Sequence, residues 1–135
     1  MSKFSAPIDQ AIKAVTAPGS PFEITQYQSQ GVDYRIYANA PKNLIELLAP
    51  GRGFTDQEFI IYQDQRWTFS HFHRQTDLIA VQLIRRFKIQ KGDRIAIAMR
   101  NYPEWMAAFL AIVSVGAVAV PLNSWGAGKE LQQSL

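Results

Sequence analysis

Apolar and polar residues alternate along four stretches in the first half of the chain, and this alternation predicts two β-hairpins. FEITQYQ and VDYRIYA are rich in aromatic and β-branched residues and flank the polar residues 29–31. EFIIYQ and RWTF follow the same pattern and are joined through Asp64. Such runs around a short polar turn are typical of antiparallel pairs. Residues 1–21, which precede the first pair, are predicted to be weakly ordered.

Three other segments follow helical spacing. PKNLIELLA predicts a short helix with Pro41 in its first turn. A longer helix, capped by Thr68 or Ser70, is predicted directly after the second hairpin. Its apolar residues recur near the helical period: Phe72, Ile79, Leu83 and Phe87. GAGKELQQSL opens a further helix at the end of the chain.

Residues 94–122 predict a parallel strand–helix–strand unit. RIAIAM suits a strand that is buried on both faces, and AVAVPL suits a second strand. Between them, Asn101 and Pro103 mark a helix start, and Gly116 is a natural helix stop. EWMAAFLAIVSV is apolar nearly all round, so the helix must be buried or in lipid. The predicted fold class is therefore α/β, with two hairpins leading into an incomplete sheet.

The alternative interpretation of the apolar run is a single membrane span over residues 105–122. A span needs about 20 predominantly apolar residues, and this run only just qualifies. Gly116 falls inside it, and Val118–Val120 favour a strand. We therefore predict a buried unit and no stable membrane span.

The composition is that of a globular chain. Of the 135 residues, 47% are hydrophobic, 19% are charged and none is cysteine. The lack of cysteine excludes disulfides, thiolate metal sites and cysteine nucleophiles. The first 22 residues contain no apolar core of a signal peptide. We predict a cytoplasmic location, which fits a reducing compartment.

The net charge of +3 arises mainly from one basic stretch. Only Asp77 and Asp93 oppose its cations, which are Arg66, Arg74, Arg85, Arg86, Lys88, Lys91, Arg94 and Arg100. Such a stretch could attract nucleic acid, phosphates or a membrane surface. The simpler interpretation places several of these cations at a helix C-terminus, where they suit the helix dipole. We predict no nucleic-acid partner.

The stretch GAGKE does not predict a phosphate-binding loop. A Walker-type loop has Gly five residues before its Gly-Lys pair and Ser or Thr after the Lys, but Asn123 and Glu130 occupy these positions. A carboxylate beside Lys129 would also repel phosphate. Residues 126–129 are predicted to be a loop before a helix.

No other constellation predicts chemistry. His71 and His73 are two residues apart, so on a helix they cannot chelate one metal together. Ser114 lies on the apolar helix among neighbours that offer no base, and we predict a packed small residue. Trp67 and Trp105 are predicted to belong to the core.

The segment KGDRIAIAMRNYPEWMAAFLAIVSVGAVAVPLN resembles the adenylate-forming enzymes, the AMP-dependent synthetases and ligases. The Thr68-Phe69 helix start fits the same pattern, and the upstream segments are similar to the N-terminal part of fatty-acyl-CoA-synthetase-like members. Residues 22–135 are then the N-terminal part of an AMP-binding domain. The residues that match the family scaffold motif are Gly92, Asp93, Arg94, Asn101, Glu104, Gly116, Pro121 and Asn123.

The resemblance implies a reaction for a full-length parent. Family members make an acyl adenylate from a carboxylic acid and ATP, with magnesium, and release pyrophosphate. Many then transfer the acyl group to coenzyme A. The Ser/Thr/Gly-rich loop that ends in Pro-Lys-Gly, the later nucleotide-binding segments and the C-terminal domain with its lysine follow this region in the family. None of them is in these 135 residues. We therefore expect no catalytic, cofactor-binding or metal-binding residue in this chain.

The sequence thus predicts an N-terminal fragment that is inactive alone and marginally stable. A fully buried large apolar side chain contributes about 1.5–3 kcal/mol relative to exposure, whereas a domain has only about 5–15 kcal/mol of net stability. A few uncovered side chains would cancel that stability. The alternative is a small interaction module that pairs an open sheet edge with itself or with a full-length synthetase.

Overall fold

The structure is a computed structural model that describes residues 5–126 and 128–134. The chain divides into two compact units, Met1–Lys42 and Asn43–Leu135. Each unit has its own hydrogen-bonded elements. The division at residue 22 stays a prediction.

The first unit contains one helix and one hairpin. Helix α1 covers Ser5–Val15, within the segment that the sequence predicts to be weakly ordered. Strands β1 (Ile24–Ser29) and β2 (Val32–Tyr37) pair antiparallel, which confirms the first hairpin. The turn residues Gln30 and Gly31 have φ angles of 50° and 79°. Two consecutive positive φ angles are the feature of the tight turn that matches the strand twist.

The second unit begins with the predicted short helix, which starts later than the sequence predicts. Helix α2 covers Leu44–Leu48, and a 3₁₀ turn follows over Ala49–Phe54. The Asn43 side-chain oxygen accepts a hydrogen bond from the Glu46 backbone N–H at 2.9 Å. This cap fixes the helix start after Pro41, so Pro41 lies outside the first turn.

The second hairpin and the long helix are also confirmed. Strands β3 (Glu58–Tyr62) and β4 (Gln65–Thr68) pair antiparallel around a turn in which Gln63 has φ 51°. Helix α3 covers Phe69–Arg85. The Thr68 hydroxyl oxygen accepts a hydrogen bond from the His71 backbone N–H at 3.1 Å. Thr68, rather than Ser70, is therefore the cap.

The parallel strand–helix–strand unit is confirmed in order and direction. Strand β5 (Arg94–Ile97) and strand β6 (Val118–Pro121) pair parallel, with Arg94 opposite Val118 and Ile97 opposite Pro121. Helix α4 (Pro103–Ser114) connects them, and helix α5 (Gly128–Ser134) follows. At the end of α4, Gly116 has φ 79° and donates to the Val113 carbonyl, while Ala117 donates to the Ile112 carbonyl. This pair of bonds is a Schellman-type stop.

Helix α4 is apolar on nearly all sides, and other elements of the unit cover two of these sides. One side packs in a cluster with α3 and the second hairpin: Trp67, Phe72, Ala107 and Leu110. Another side packs against the parallel strands in a cluster of Ile97, Ile112 and Ala117, with Trp105 beside it. Trp67 thus belongs to the core as predicted, whereas Trp105 is half-buried beside the second cluster. No helix in the described part of the chain is long and apolar enough to cross a membrane.

The prediction that β5 is buried on both faces is wrong for this structure. Ile95 and Ile97 share the face that packs towards α4, and both are at least half-buried. Arg94 and Ala96 alternate onto the other face and are exposed. The reason is that, among the described residues, only one face of this two-stranded sheet has a covering helix.

Candidate functional site

The parallel pairing of β5 and β6 places the two strand ends side by side. Residues after Ile97 and residues after Pro121 therefore leave the sheet at the same edge. A backbone hydrogen bond from Leu122 to the Ile97 carbonyl, 3.0 Å long, holds the two exits together. In open α/β sheets, ligands bind at the carboxyl ends of the strands, so this edge is the candidate site.

A cavity of about 480 Å³ lies at this edge. It is bounded by the residues after β5, the start of α4, the residues after β6, and Tyr62 from the second hairpin. Its polar and aromatic lining comprises Tyr62, Arg100, Asn101, Tyr102, Trp105, Asn123, Ser124 and Trp125. The mixture of one cation, two amides and four aromatic rings is suited to a ligand with flat and polar parts.

Arg100 and Trp125 contact each other in an exposed part of this lining. The Arg100 guanidinium carbon lies 4.2 Å from the centre of the Trp125 ring system, and Trp125 is 76% exposed. The Asn123 side-chain oxygen accepts a hydrogen bond from the Trp125 backbone N–H at 3.1 Å. A stacked cation at an exposed site gains about 0.5–1 kcal/mol. Asn123 thus holds the turn from which Trp125 reaches Arg100.

The Arg100–Trp125 pair is a feature that the sequence motifs do not indicate. Arg100 belongs to the basic stretch, and no motif includes Trp125. A signal was present, because Arg100 and Asn101 follow one predicted parallel strand while Asn123 and Trp125 follow the other. The shared edge of parallel strands brings such residues together.

The scaffold-motif residues fall into two groups at opposite ends of the strands. Asn101, Pro121 and Asn123 line the cavity, and Glu104 lies in the adjoining groove with Tyr62. The others lie at the start of the strands and act through the backbone. There, Gly92 donates to the Gly116 carbonyl at 2.9 Å, and Val118 donates to the Asp93 carbonyl at 2.7 Å. This second group is Gly92, Asp93, Arg94 and Gly116.

The two histidines face different neighbours. The His71 ring lies 4.6 Å from the Trp67 ring, whereas His73 is buried near an ion pair between Arg52 and Asp77. Two hydrogen bonds of 2.7 and 3.0 Å join the guanidinium to the carboxylate. This pair raises the pKa of Arg52 and lowers the pKa of Asp77. Across residues 5–126 and 128–134, no three His, Asp or Glu side chains come close enough to hold a metal.

Ser114 shares a cavity of about 50 Å³ with His73, so a basic side chain is nearer to it than the sequence suggested. Its hydroxyl donates to the Leu110 carbonyl at 2.6 Å. A hydroxyl whose proton is engaged with a backbone carbonyl is not activated as a nucleophile in this arrangement.

Residues 126–129 lie only partly in a loop. Gly126 closes a turn with a hydrogen bond to the Asn123 carbonyl at 3.0 Å, and Lys129 is already inside α5. Ala127 lies outside the described residues. A side-chain Cβ at Gly126 would come within 3.1 Å of a Glu130 carboxylate oxygen. This carboxylate beside the glycine turn is unsuited to phosphate.

Residues 49–135, more than half of the chain, match the family of AMP-binding enzymes. The chain belongs to the AMP-binding enzyme family. The match includes the second hairpin, α3, the parallel unit and the whole lining of the cavity. The resemblance noted in the sequence is confirmed at this level.

Similar proteins include acid–CoA ligases and an adenylation subdomain. The chain is 32% identical over 88 residues to a 4-hydroxybutyrate–CoA ligase of Metallosphaera sedula, which covers 65% of this chain and 16% of that protein. It is 31% identical over 84 residues to a long-chain-fatty-acid–CoA ligase of Haemophilus influenzae, covering 62% of this chain and 15% of that one.

The fold of about two thirds of the chain is also found in a solved structure. The N-terminal subdomain of NpsA from Klebsiella oxytoca, in complex with 3-hydroxybenzoyl-AMSN, matches with a TM-score of 0.62 and 25% identity. The likeness covers 68% of this chain and 24% of that one. The chain thus spans less than a quarter of the length of each of these three proteins.

Proposed function

We propose that this chain supplies the N-terminal scaffold of an AMP-dependent carboxylic acid–CoA ligase. The observation that carries the proposal is the gathering of Asn101, Pro121 and Asn123 around one cavity at the carboxyl edge of β5 and β6. All three lie in the part of the chain that matches the family. In this proposal, the parallel unit forms one wall of a larger ligand site.

The whole protein would activate a carboxylic acid with ATP and magnesium and pass the acyl group to coenzyme A. Two of the similar proteins are named as acid–CoA ligases, one for 4-hydroxybutyrate and one for long-chain fatty acids, which supports this reaction class. We propose a fatty acid as the substrate. A cytoplasmic location stays a prediction from the cysteine-free sequence.

The described residues do not fit a complete site for magnesium and ATP. The cavity offers one cation, Arg100, and its guanidinium is already stacked on Trp125. The described chain brings together no carboxylate group suited to a metal ion. We therefore propose that these 135 residues alone do not catalyse adenylation, and we derive no reaction step from them.

Exchange of labelled pyrophosphate into ATP tests this proposal. The purified chain is assayed with magnesium, ATP and a panel that includes 4-hydroxybutyrate and long-chain fatty acids, with the Metallosphaera ligase as positive control. We expect no exchange above background for any acid. Exchange that depends on one of the acids would show that the chain contains an adenylation site and would refute the proposal.

A second candidate function is an interaction module that acts through the parallel sheet. Strands β5 and β6 form a sheet of two strands, so each has an outer edge without a strand partner among the described residues. Such edges pair readily with another strand. Light scattering tests this alternative, because pairing with a second copy predicts a discrete dimer. A strictly monomeric chain that also fails to bind a full-length synthetase would exclude it.

A further inference from the structure

The end of α3, the segment that joins α3 to β5 and the first residue of β5 carry two exposed apolar side chains and several cations. Ile84 is 51% exposed and Phe87 is 61% exposed. The cations within residues 84–94 are exposed as well: Arg85, Arg86, Lys88, Lys91 and Arg94. We call these seven residues the basic–apolar patch.

The charge of the basic–apolar patch is not neutralised within the described residues. The ion pairs found there are Arg52–Asp77 and Arg66–Glu58, and neither involves a cation of the patch. The carboxylate closest in sequence is Asp93, which accepts a hydrogen bond from the Gln90 backbone N–H at 2.8 Å. The patch therefore presents a net positive surface.

The backbone holds the basic–apolar patch in a defined turn. Phe87 donates to the Gln82 carbonyl at 3.3 Å, and Ile89 donates to the Leu83 carbonyl at 3.1 Å. Ile89 is half-buried and packs against the core cluster of the parallel unit. The Arg86 guanidinium carbon lies 5.5 Å from the centre of the Phe87 ring. The exposed aromatic ring is thus presented on a turn anchored in the core.

We propose that the basic–apolar patch binds the surface of an anionic lipid bilayer. Cations on a protein surface are attracted to acidic headgroups, and apolar side chains enter the boundary between headgroups and acyl chains. A bilayer therefore satisfies both kinds of side chain at once. Nucleic acid would satisfy the cations through its phosphates but would leave Ile84 and Phe87 in water.

The position of the patch is compatible with the cavity at the other end of the strands. Arg94 is the first residue of β5, whereas the cavity lies beyond its last residue, Ile97. A surface that covers the basic–apolar patch would leave the carboxyl edge of the sheet open. Membrane binding through the patch is thus a property separate from the proposed scaffold role.

Co-sedimentation of the full 135-residue chain with vesicles tests the proposal. Vesicles of phosphatidylcholine with 30% phosphatidylserine are compared with vesicles of phosphatidylcholine alone. We expect at least tenfold stronger binding to the anionic vesicles, and a loss of that binding when the salt concentration is raised. Equal binding to both kinds of vesicle would overturn the proposal, because it would reflect general apolar adhesion.

Variants separate the two parts of the patch. The pair Arg86→Gln and Lys88→Gln should weaken binding to anionic vesicles about 25-fold, from about fivefold for each cation. Phe87→Ser should weaken it about tenfold. The matched control pair, Lys13→Gln and Arg35→Gln, removes the same charge elsewhere and should have a much smaller effect. Circular dichroism checks that each variant keeps its fold.

Competition with duplex DNA tests whether the patch binds nucleic acid rather than a membrane. We expect the anionic vesicles to bind more tightly than a 30-base-pair duplex at the same salt concentration. Tighter binding to the duplex, with no effect of Phe87→Ser, would overturn the membrane proposal in favour of a nucleic-acid surface. An equal effect of the control pair and the patch pair would also overturn it, because binding would then not depend on this patch.

Discussion

His73 is a buried titratable side chain whose surroundings lower its pKa. It is 7% exposed, and its Nδ1 atom has no hydrogen-bond partner among the described residues. Burial is the main cause of the lowered pKa, and the positive charge of Arg52 adds to it. The carboxylate of Asp77 acts in the opposite direction. The neutral imidazole is therefore the form that the folded chain favours.

The lowered pKa predicts a loss of stability in mild acid. Below pH 6.5 the unfolded chain takes up a proton on His73 before the folded chain does, so the free energy of unfolding falls as the pH falls. The pKa of Asp77 is lowered from 3.8. A further loss in the free energy of unfolding therefore begins only when the pH falls below about 3.8. Denaturant unfolding between pH 5 and 8 measures the first slope.

Two histidine variants make this prediction specific. His73→Gln is neutral at every pH and should remove most of the slope below pH 6.5. His71→Gln makes the same substitution at an exposed position two residues away and is the matched control for the loss of an imidazole. A slope that persists in His73→Gln and disappears in His71→Gln would contradict the account.

Thr68 predicts a measurable capping effect. Its hydroxyl oxygen accepts from the His71 backbone N–H, whereas Ser70 lies inside α3. Thr68→Ala should lower the free energy of unfolding by about 1 kcal/mol, and Thr68→Ser should restore most of it. Ser70→Ala is the matched control and should have almost no effect. A larger loss for Ser70→Ala than for Thr68→Ala would refute this assignment of the cap.

At the scale of elements, the end of α4 depends on Gly116. Its φ of 79° is unfavourable for any residue with a Cβ atom, and that atom would lie 3.2 Å from the Lys91 Cγ. Gly116→Ala should therefore lower the free energy of unfolding by about 1–2 kcal/mol. Gly53 has open space around it and no such φ, so Gly53→Ala is the control and should be near neutral. Equal losses would contradict the proposed role of Gly116.

The elements themselves were largely predictable because each has a local cause. Both hairpins follow from alternating residues around a polar turn, and α4 follows from Pro103 at its start and Gly116 after its end. The start of α2 was misplaced because the hydrogen bond from Glu46 to Asn43 outweighs the preference of Pro41 for a first turn. Asn43 and Pro41 each favour a different start for α2, and the apolar pattern alone does not decide between the two positions.

The candidate site was only partly predictable, because it depends on which strand ends meet. Asn101 and Asn123 were identified as scaffold positions, and the parallel pairing of β5 with β6 brings them to one cavity. The contact between Arg100 and Trp125 joins residues that lie 25 positions apart in the chain. Its geometry follows from tertiary placement, which hydrophobic periodicity does not encode.

At the scale of the whole molecule, exposed apolar side chains predict a marginally stable chain. Leu78, Val81 and Ile84 on α3 and Val118 on β6 are all exposed. Each is about half-buried, so completing its burial would contribute roughly half of the 1.5–3 kcal/mol of a fully buried side chain, and the four together approach the lower end of a domain's net stability. We expect binding of a hydrophobic dye and a broad thermal transition. Cooperative unfolding of a monomer that binds no dye would contradict this expectation.

The central claim is that this member of the AMP-binding family provides scaffold without a complete nucleotide site. Calorimetric titration with magnesium and ATP tests it most directly, with the Metallosphaera ligase as the positive control. The account predicts no saturable binding to this chain at millimolar nucleotide. Saturable binding of one nucleotide per chain, weakened by Arg100→Ala, would place a working nucleotide site at the carboxyl edge of β5 and β6 and would contradict the account.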